Sequence, residues 1–477
     1  MLSQSNLGSY LPHQLKAFKK LKNQDFGGIF FEQGLGKTFL AIKLLDCWLK
    51  DNSVDAGIIV TRRSLISNWK SEFSRFSRTR VFCPQVKGDS VNYSIIPSKN
   101  IFLMHYEGFN REIFRLKEFF EAYNICIILD EAHYIKNPST NNSLGILSVS
   151  DFAKKRLILT GTPIPNRPYD LWNLCRFLDP SIEKSLSYKT LRRIADIPAT
   201  RQNLEERLSS LESAVVSLKR RISSTSVFAF KSSLNIPKKT IFYHKVALPP
   251  VLRKAYDDIS SHLKGPLSFN GSLQDDCILK RYLELIQFCS YPGMKTKSLK
   301  GPYPKDLIIL SQIKKAKKQK VSIIIWTSFN ETSEYLYSLI KSYFPKEKVF
   351  LVNGKTPLQK RHSSLRNFKI TSFGILVATV GTCKEGLNLQ NASIAVFIDS
   401  TYKLDDFLQA QDRIHRLFQK RKCEVFQLLY KNTIEIWIHN LLKTKEHVAK
   451  DVFNKERSIN QNVFEEMFSE KEALNES

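Results

Sequence analysis

Short apolar runs alternate along the chain with longer stretches in which apolar residues recur every three or four positions. The runs are apolar at nearly every position, which indicates strands buried on both faces of a parallel sheet. The intervening stretches have the period of helices. In the first part of the chain the runs are F-G-G-I-F-F, A-G-I-I-V, N-I-F-L-M, I-C-I-I-L and R-L-I-L-T.

A second set of apolar runs predicts the same architecture again. Its members are S-I-I-I-W, V-F-L-V, G-I-L-V-A, I-A-V-F-I and E-V-F-Q-L-L. Between the two sets the chain has helical patterns rich in Leu, Arg and Lys, with a Ser-rich stretch, S-S-T-S. We therefore expect an α/β fold of two parallel-sheet lobes with a helical insertion between them. The predicted divisions are a first lobe at 1–180, a helical protrusion and linker at 181–300, a second lobe at 301–440 and a charged helical tail at 441–477.

The net charge adds a candidate partner to this picture. Of the 477 residues, 42% are hydrophobic, so each lobe can build a core. Lys and Arg total 73 against 45 Asp and Glu, a formal charge of +28, and such an excess favours a polyanionic partner. Solubility or a biased base composition also produces Lys-rich chains, so the charge alone does not identify nucleic acid.

The cysteines and the apolar stretches disfavour several protein classes. The eight cysteines are scattered and form no C-x-x-C pair, which gives little support to a zinc site or a disulfide scaffold. No apolar stretch approaches the roughly 18–20 residues of a membrane span. The first residues, M-L-S-Q-S-N-L-G-S-Y, lack the pattern of a secretory signal. We expect an intracellular protein, cytoplasmic or nuclear, without a membrane partner.

A glycine-rich segment, E-Q-G-L-G-K-T, lies between an apolar run ending at Phe31 and the helical pattern F-L-A-I-K-L-L. Strand, glycine-rich loop and helix in this order are the setting of a nucleotide phosphate loop. Gly34 and Gly36 let backbone N–H groups approach the phosphates. Lys37 would reach the β- and γ-phosphates, and the Thr38 hydroxyl would ligate Mg²⁺. An ordinary turn is the alternative, because Phe31 stands where the strict pattern has Gly.

Two adjacent carboxylates, Asp130 and Glu131, follow another apolar run in the segment L-D-E-A-H-Y-I-K-N. Buried neighbouring carboxylates are costly unless a cation or a proton compensates them. Ligands of open α/β sheets bind at the carboxyl edge of the strands. We therefore expect Asp130 to hold Mg²⁺ and Glu131 to polarise the water that attacks the γ-phosphate. An exposed acidic turn is the alternative.

Ordered motifs extend this pattern over nearly the whole chain. They are L-P-H-Q, E-Q-G-L-G-K-T, V-T-R-R-S-L-I-S-N-W-K-S-E-F, M-H-Y-E, L-D-E-A-H-Y-I-K-N, L-T-G-T-P-I-P-N, I-I-I-W-T-S-F, V-A-T-V-G-T-C-K-E-G-L-N-L and Q-A-Q-D-R-I-H-R-L-F-Q. In this order they resemble superfamily 2 helicases and translocases, and within them the Swi/Snf-like ATPase group. The resemblance implies two RecA-like lobes, one with the helicase ATP-binding motifs and one with the helicase C-terminal motifs, and it implies ATP and Mg²⁺ as cofactors.

The resemblance also implies roles for single residues. Gln14 would read adenine, and Gly386 would contact the nucleotide. Arg413 and Arg416 would act as arginine fingers, and a planar guanidinium suits a bidentate grip on phosphoryl oxygens. A surface arginine pair is the alternative. The residues implied to contact the nucleic-acid backbone are Arg62, Asn68, Lys70, Thr379 and Gly381.

The sequence departs from the group's pattern at two places. Thr382, Cys383 and Lys384 stand where the group has a small Ala-Gly-Gly run. Phe418 stands where Gly is usual. No accessory chromodomain, bromodomain or zinc module fits in the chain, so the resemblance does not by itself imply nucleosome remodelling.

The leading prediction is an ATP-dependent translocase or helicase that moves along nucleic acid, with duplex DNA as the track by resemblance. RNA stays possible, since no base-reading feature separates the two polymers. A first alternative is a translocase that never separates strands and acts in transcription or displaces proteins, with a transcription or replication complex as its partner. A second alternative, from another class, is an adaptor that binds nucleic acid and has an inactive ATPase core.

Overall fold

The protein forms two compact units that divide between residues 235 and 236, with the end of the last helix, residues 449–453, grouped with the first unit. The structure is a computed structural model. It describes residues 10–83, 100–161, 170–196, 204–231, 234, 236–261, 273–296, 299–382, 389–400, 404–417 and 419–453. Within these ranges, no helix combines the length and the apolar character that crossing a bilayer requires.

The first unit is built on a parallel sheet. Its strands are β1 (Phe26–Phe31), β2 (Ala56–Thr61), β3 (Val81–Phe82), β4 (Asn100–His105), β5 (Ile125–Asp130), β6 (Lys155–Leu159) and β7 (Ser226–Ala229). Among the described residues they pair in the order β3-β4-β2-β5-β6-β1-β7, and every pair is parallel. Strands β2 and β5 are buried at every position, as their unbroken apolar runs predict.

Helices cover this sheet and connect its strands, as parallel pairing requires. They are α1 (Pro12–Leu21), α2 (Lys37–Lys50), α3 (Ile66–Phe76), α4 (Tyr106–Arg111), α5 (Ile113–Ala122), α6 (Asn141–Ser150), α7 (Asp170–Leu178), α8 (Ile182–Ser185), α9 (Tyr188–Asp196) and α10 (Leu204–Thr225). Helix α3 turns Trp69 and Phe73 inward and leaves its other residues exposed or half-buried, which is the pattern of a helix lying on a sheet.

The second unit repeats the architecture with a second parallel sheet. Its strands are β8 (Lys239–Val246), β9 (Ser322–Thr327), β10 (Val349–Val352), β11 (Ile375–Thr379), β12 (Ala392–Phe397) and β13 (Cys423–Tyr430). Their order in the described part of the chain is β10-β11-β9-β12-β13-β8, and all pairs are parallel. The helices are α11 (Pro250–Ser261), α12 (Leu273–Ser290), α13 (Pro304–Lys318), α14 (Asn330–Tyr343), α15 (Leu358–Ile370), α16 (Leu404–Gln411) and α17 (Ile434–Phe453).

Alternate residues along the strands of the second sheet belong to two separate hydrophobic cores. Ile324 and Trp326 of β9 belong to one apolar cluster, whereas Ile323 and Ile325 belong to another. Successive strand side chains point to opposite faces, so the unbroken apolar run fills both layers of a helix–sheet–helix sandwich. The predicted α/β fold with two parallel-sheet lobes is confirmed, and all ten predicted strand segments form strands.

The stretch predicted as a helical protrusion and linker, 181–300, also contributes strands. Helices α8 to α12 fall in it, but β7 pairs with β1 at the edge of the first sheet and β8 pairs with β13 at the edge of the second. The β7 pairing is supported by the stacked rings of Phe30 and Phe228, whose centroids are 5.1 Å apart. The stretch is therefore shared between the two units.

Four central strands of the first sheet end side by side. Strand β2 lies between β4 and β5, and β6 lies between β5 and β1. In the pairing register Val60 is opposite Leu129, and Asp130 is opposite Leu159. The carboxyl ends of β1, β2, β5 and β6 consequently form one edge, where ligands of open α/β sheets bind.

Candidate functional site

The glycine-rich loop joins β1 to α2 with a backbone that glycine adopts readily. Gly34 and Gly36 have φ values of 83° and 84°, in the left-handed region where a Cβ atom is strained. Gly36 is also the N-cap residue of α2. The loop therefore brings its N–H groups to the positive end of a helix dipole, which is an arrangement that binds anions.

Lys37 and Thr38 form the first turn of α2. Lys37 is buried, with 8% relative exposure, and its Nζ donates a 2.9 Å hydrogen bond to the Phe31 carbonyl oxygen. This bond spans the loop from the helix back to the end of β1. Thr38 is half-buried beside it. Both residues thus lie at the loop that the sequence predicts to hold phosphate.

Gln14 is tied to the same loop. Its Nε2 donates to the Leu35 carbonyl oxygen at 3.1 Å, and its Oε1 accepts the Leu11 backbone N–H at 3.0 Å. A Cβ atom added to Gly36 would collide with the Gln14 side-chain amide. A side chain at position 36 would therefore displace the Gln14 amide, and the φ of 84° favours glycine there in any case. That Gln14 reads adenine stays a prediction.

Asp130 ends β5 and its carboxylate is held by three donors. Oδ2 accepts the Thr61 hydroxyl at 2.9 Å and the Trp69 indole N–H at 2.8 Å. Oδ1 accepts the backbone N–H of Glu131 at 3.0 Å. The Tyr106 hydroxyl donates to the Asp130 backbone carbonyl at 2.9 Å, which fixes the strand end as well. The orientation of the carboxylate is therefore set by its surroundings.

Glu131 has a left-handed backbone, with φ 52° and ψ 51°, which is uncommon for a residue other than glycine. Such conformations cluster at functional sites, where the surrounding structure holds them. The Gln33 amide donates to Glu131 Oε1 at 3.3 Å. His133 Nδ1 lies 3.4 Å from Oε2. Glu131 is buried, so the alternative of an exposed acidic turn is not what the structure contains.

The two adjacent carboxylates have opposite pKa shifts. Burial raises the pKa of Asp130 to about 6, and the neighbouring Glu131 charge adds to the rise. Burial also favours a higher pKa for Glu131, but the charges of His133, Lys37 and Arg62 outweigh it and hold that pKa below its ordinary value. Glu131 is thus the more readily ionised of the two, and an ionised carboxylate can accept a proton from water.

The turn after β6 meets the phosphate loop. Thr160 is buried and its N–H donates to the Ile29 carbonyl oxygen of β1 at 3.2 Å. A Cβ atom added to Gly161 would lie 3.2 Å from Gln33 Nε2 and 3.3 Å from Lys37 Nζ. The start of the T-G-T-P segment consequently adjoins both the lysine and the amide that contacts Glu131. Thr162 and the rest of that segment lie outside the described residues.

The donor set fits a nucleoside triphosphate with Mg²⁺. Mg²⁺ takes oxygen ligands and is usually bound by one or two carboxylates together with substrate phosphates. A carboxylate has about four acceptor positions. Asp130 uses three of them for the donors described above, which leaves acceptor capacity on Oδ1. The Thr38 hydroxyl and the loop's N–H groups supply the remaining partners that such a group needs.

The predicted nucleic-acid contacts of the first unit lie in two environments. Asn68 is half-buried and Lys70 is exposed on α3, and Lys70 lies beside the Cys83 thiol. Arg62 instead stacks on Tyr134, with its guanidinium carbon 5.0 Å from the ring centroid. Its positive charge helps to lower the pKa of Glu131, so Arg62 lies close to the acidic pair. Nucleic-acid contact by these residues stays a prediction.

The two predicted arginine fingers belong to the second unit. Helix α16 ends at Gln411, and Arg413 and Arg416 follow it in a series of turns. Arg413 is buried, and its carbonyl oxygen accepts the Leu389 N–H at 3.1 Å. Arg416 Nε donates to the Asp412 carbonyl oxygen at 3.0 Å. Their role in hydrolysis stays a prediction.

The other predicted residues of the second unit lie after β11. Thr379 is buried and shares a 2.8 Å hydroxyl hydrogen bond with Thr382. Gly381 is exposed, with no atom within 4 Å of the place where a Cβ would stand. That open backbone is accessible to a phosphate, whereas the Thr379 hydroxyl is already engaged. Gly386 lies outside the described residues.

Three residues of the first unit take part in the site without having been assigned a part in it from the sequence. Thr61 and Trp69 bind Asp130, and Gln33 binds Glu131. Gln33 could have been identified from the sequence, because it is adjacent to the loop glycines. Thr61 and Trp69 could not, because their bonds to Asp130 depend on β2 and α3 lying beside β5.

Comparisons with known families cover most of the chain. The model of the SNF2-related domain matches residues 12–294, which is more than half of the chain and includes the phosphate loop and the acidic pair. The model of the helicase conserved C-terminal domain matches residues 305–418. The two matches follow each other in the order of the two sheets.

Individual relatives are similar at low identity. An "Uncharacterized ATP-dependent helicase" from Mycoplasma pneumoniae is 28% identical, over 90% of this chain and 40% of the relative. The human "SWI/SNF-related matrix-associated actin-dependent regulator of chromatin subfamily A member 1" is also 28% identical, over 90% of this chain and 42% of the relative. A solved structure of a Sulfolobus solfataricus SWI2/SNF2 ATPase core with dsDNA is 24% identical over 97% of both chains, with a TM-score of 0.43. The chain spans about two fifths of the length of the curated relatives it matches.

Proposed function

We propose that this chain, which belongs to the SNF2-related family and is similar to an ATP-dependent helicase, hydrolyses ATP to move along nucleic acid. Duplex DNA is its proposed track. The observation that carries this proposal is the convergence of Lys37, Asp130, Glu131 and Gly161 at the carboxyl edge of one sheet. An anion-binding loop, a constrained carboxylate and a second, more acidic carboxylate are the parts that phosphoryl transfer to water needs.

In this proposal each side chain of the first unit has a separate task. Lys37 and the N–H groups of the loop hold the terminal phosphates. Asp130 and Thr38 would hold Mg²⁺, which neutralises charge that develops on the phosphates. Glu131 would orient the attacking water and take its proton, and the low pKa that His133 and other nearby cations give it keeps the carboxylate ionised for that step. Gln33 keeps the Glu131 carboxylate in place.

Arg413 and Arg416 would stabilise the negative charge of the transition state. A guanidinium can grip two phosphoryl oxygens at once, and an arginine finger contributes about 10³–10⁵ in rate. Both arginines belong to the second unit, so hydrolysis would require residues of both units. ATP turnover can then be coupled to conformational steps of the chain.

The choice of duplex DNA as the track is supported by charge and by relatives. The formal charge of +28 suits a polyanion, and affinity should then fall as salt rises. A relative is named for the regulation of chromatin, which makes a complex acting on DNA, in transcription or replication, a reasonable partner to propose. Contacts to the phosphate backbone carry no sequence information, so we expect no sequence specificity.

Translocation is tested by displacing a third strand from a DNA triplex. We expect the protein to displace the third strand in the presence of ATP and Mg²⁺. ATP turnover without displacement would refute movement along the duplex. A duplex-unwinding assay run in parallel decides the mode of action. Displacement without unwinding identifies a translocase that does not separate strands, and both together identify a helicase.

A further inference from the structure

Helix α3 carries a predicted nucleic-acid surface on one side and a contact to the nucleotide site on the other. Asn68 is half-buried and Lys70 is exposed. Trp69, between them, has 1% relative exposure and donates its indole N–H to Asp130 Oδ2 at 2.8 Å. Consecutive helical residues point about 100° apart, since 3.6 residues complete a turn. Three neighbouring residues therefore face different surroundings on one rigid element.

The Trp69 bond helps to decide which oxygen of Asp130 is available for a metal. Trp69 and Thr61 both donate to Oδ2, so the lone pairs of that oxygen are occupied. Oδ1 accepts only the Glu131 N–H among the described residues. Rotation of the carboxylate would break both bonds to Oδ2. The indole therefore acts on the metal through the orientation of Asp130.

The indole is itself firmly attached to α3. Trp69 lies 5.9 Å from Phe73, measured between ring centroids, and both rings are buried. A large aromatic side chain packed in a core moves with its helix, because protein interiors are close-packed. A displacement of α3 would consequently change the distance or angle of the hydrogen bond to Oδ2. Hydrogen bonds weaken steeply as the angle departs from linearity.

We propose that Trp69 is a positioning residue that holds Asp130 for the metal and transmits binding of nucleic acid on α3 to the nucleotide site. The proposal rests on the proposed function for its nucleic-acid part. Outer-shell partners of metal ligands are typically worth 10–100-fold in metal affinity or activity. Trp69 has this relation to Asp130 and lies within the segment that would touch the track.

The test compares Trp69→Phe with a matched tryptophan. Trp48 is equally buried in the first unit, and its indole N–H donates to the Lys22 carbonyl oxygen at 2.7 Å. It lies about 16 Å along α2 from Lys37, at 1.5 Å per residue. Each variant keeps an aromatic ring and loses one indole hydrogen bond. Only the loss at Trp69 should affect the metal.

The first measurement is the affinity for a fluorescent ATP analogue with Mg²⁺ and with EDTA. Mg²⁺ should raise the affinity of the wild type for the analogue. We expect this increase to be about 10–100-fold smaller in Trp69→Phe, with the affinity in EDTA unchanged. Trp48→Phe should match the wild type in both. Thr61→Val, which removes the other donor to Oδ2, should reproduce the loss and serves if Trp69→Phe does not fold. If Mg²⁺ raises the affinity of Trp69→Phe and of Thr61→Val as much as it raises that of the wild type, the positioning role is refuted.

The second measurement is the stimulation of ATP turnover by duplex DNA at saturating Mg²⁺. We expect Trp69→Phe to bind DNA like the wild type but to lose most of the stimulation. Normal stimulation in Trp69→Phe would overturn the transmission part of the proposal. Absence of turnover in the wild type would instead refute the proposed function, and the Mg²⁺ titration would still decide the positioning role.

Discussion

A buried ion pair in the second unit gives a quantitative prediction of stability. Lys305 has 1% and Glu435 0% side-chain exposure. Lys305 Nζ donates to both Glu435 oxygens, at 2.7 and 2.8 Å, and to the carbonyl oxygens of Cys289 and Ile398, at 3.0 and 2.7 Å. The pair joins α13 to α17 and lies beside the Tyr430 ring. It is therefore shielded from water and fully bonded.

Substituting Lys305 by Met removes the cation and its hydrogen bonds to Glu435 and to two carbonyl groups, and leaves Glu435 with the Tyr430 N–H as a donor. Breaking a buried pair by removing one partner costs about 3–5 kcal/mol. A buried group left without its hydrogen bond accounts for about 1–3 kcal/mol of such a loss. We expect Lys305→Met to lower the free energy of unfolding of the second unit by about 3–5 kcal/mol at pH 8.

The loss should grow as pH rises. Burial raises the pKa of Glu435 to about 7 against the opposing charge of Lys305. A carboxyl group with a raised pKa binds its proton more tightly when folded, so stability is lost as pH rises toward the folded pKa. Without Lys305 this pKa lies higher still. Above about pH 7 the variant keeps losing stability, by about 1.4 kcal/mol per pH unit, while the wild type does not.

The assay is guanidinium denaturation read by hydrogen exchange of peptides from β9, which reports on the second unit alone. With an m value of about 5 kcal/mol/M, the midpoint should fall by about 0.6–1 M. Lys315→Met is the matched control on the same helix. Lys315 also pairs at 2.7 Å, with Glu424, but the two side chains are 40% and 28% exposed, so its loss should stay within about 1 kcal/mol. Equal midpoints for the two variants would refute the argument.

Three further predictions concern the nucleotide site. Glu131→Gln should keep ATP binding and lower turnover by about 10²–10⁴-fold, and turnover within a factor of two or so of wild type would exclude it as the base. Arg416→Ala should also keep ATP binding but lose turnover by about 10³–10⁵-fold, and normal turnover would end its assignment as an arginine finger. Gly36→Ala should abolish binding of the fluorescent ATP analogue, because φ is 84° and the added Cβ would strike Gln14; unchanged affinity would show that the loop does not hold the phosphates.

The strands and the phosphate loop could be predicted because their signals are local. A short apolar run rich in β-branched residues, such as I-C-I-I-L, is typical of a buried strand, and G-K-T between a strand and a helix is a contiguous motif. Gly34 and Gly36 have the left-handed backbone for which glycine is suited. In these places the sequence and the structure agree because the signal comes from residues that are adjacent in the chain.

The contacts of Asp130 could not be predicted because they are not local. Thr61 and Trp69 reach it across 69 and 61 residues, and only the sheet order, with β2 beside β5, brings them together. Arg62 shows the same limit. Its position in the chain suggested contact with nucleic acid, but its stacking on Tyr134 beside the acidic pair depends on the fold.

The strands β7 and β8 lie in a stretch where the helical pattern is strong and the pattern of a strand is weak. Strand β7 spans Ser226–Ala229 at the end of a Ser-rich stretch that follows a long helical pattern, and every position of β8 is exposed or half-buried. Edge strands have one neighbour, so they need less apolar sequence than central strands. Both segments contain β-branched and aromatic residues, which strands favour, and each pairs with an edge of a sheet, β7 with β1 and β8 with β13.

The central claim, an ATPase driven by nucleic acid, is tested most directly by ATP turnover with duplex DNA, single-stranded DNA, RNA or no polymer. We predict Mg²⁺-dependent turnover that is highest with duplex DNA and absent in Lys37→Ala. Lys43→Ala is the matched control, since Lys43 lies on the same helix and also donates to a backbone carbonyl, that of Phe76 at 2.7 Å. It should retain turnover. No turnover with any polymer, or full turnover in Lys37→Ala, would contradict the account.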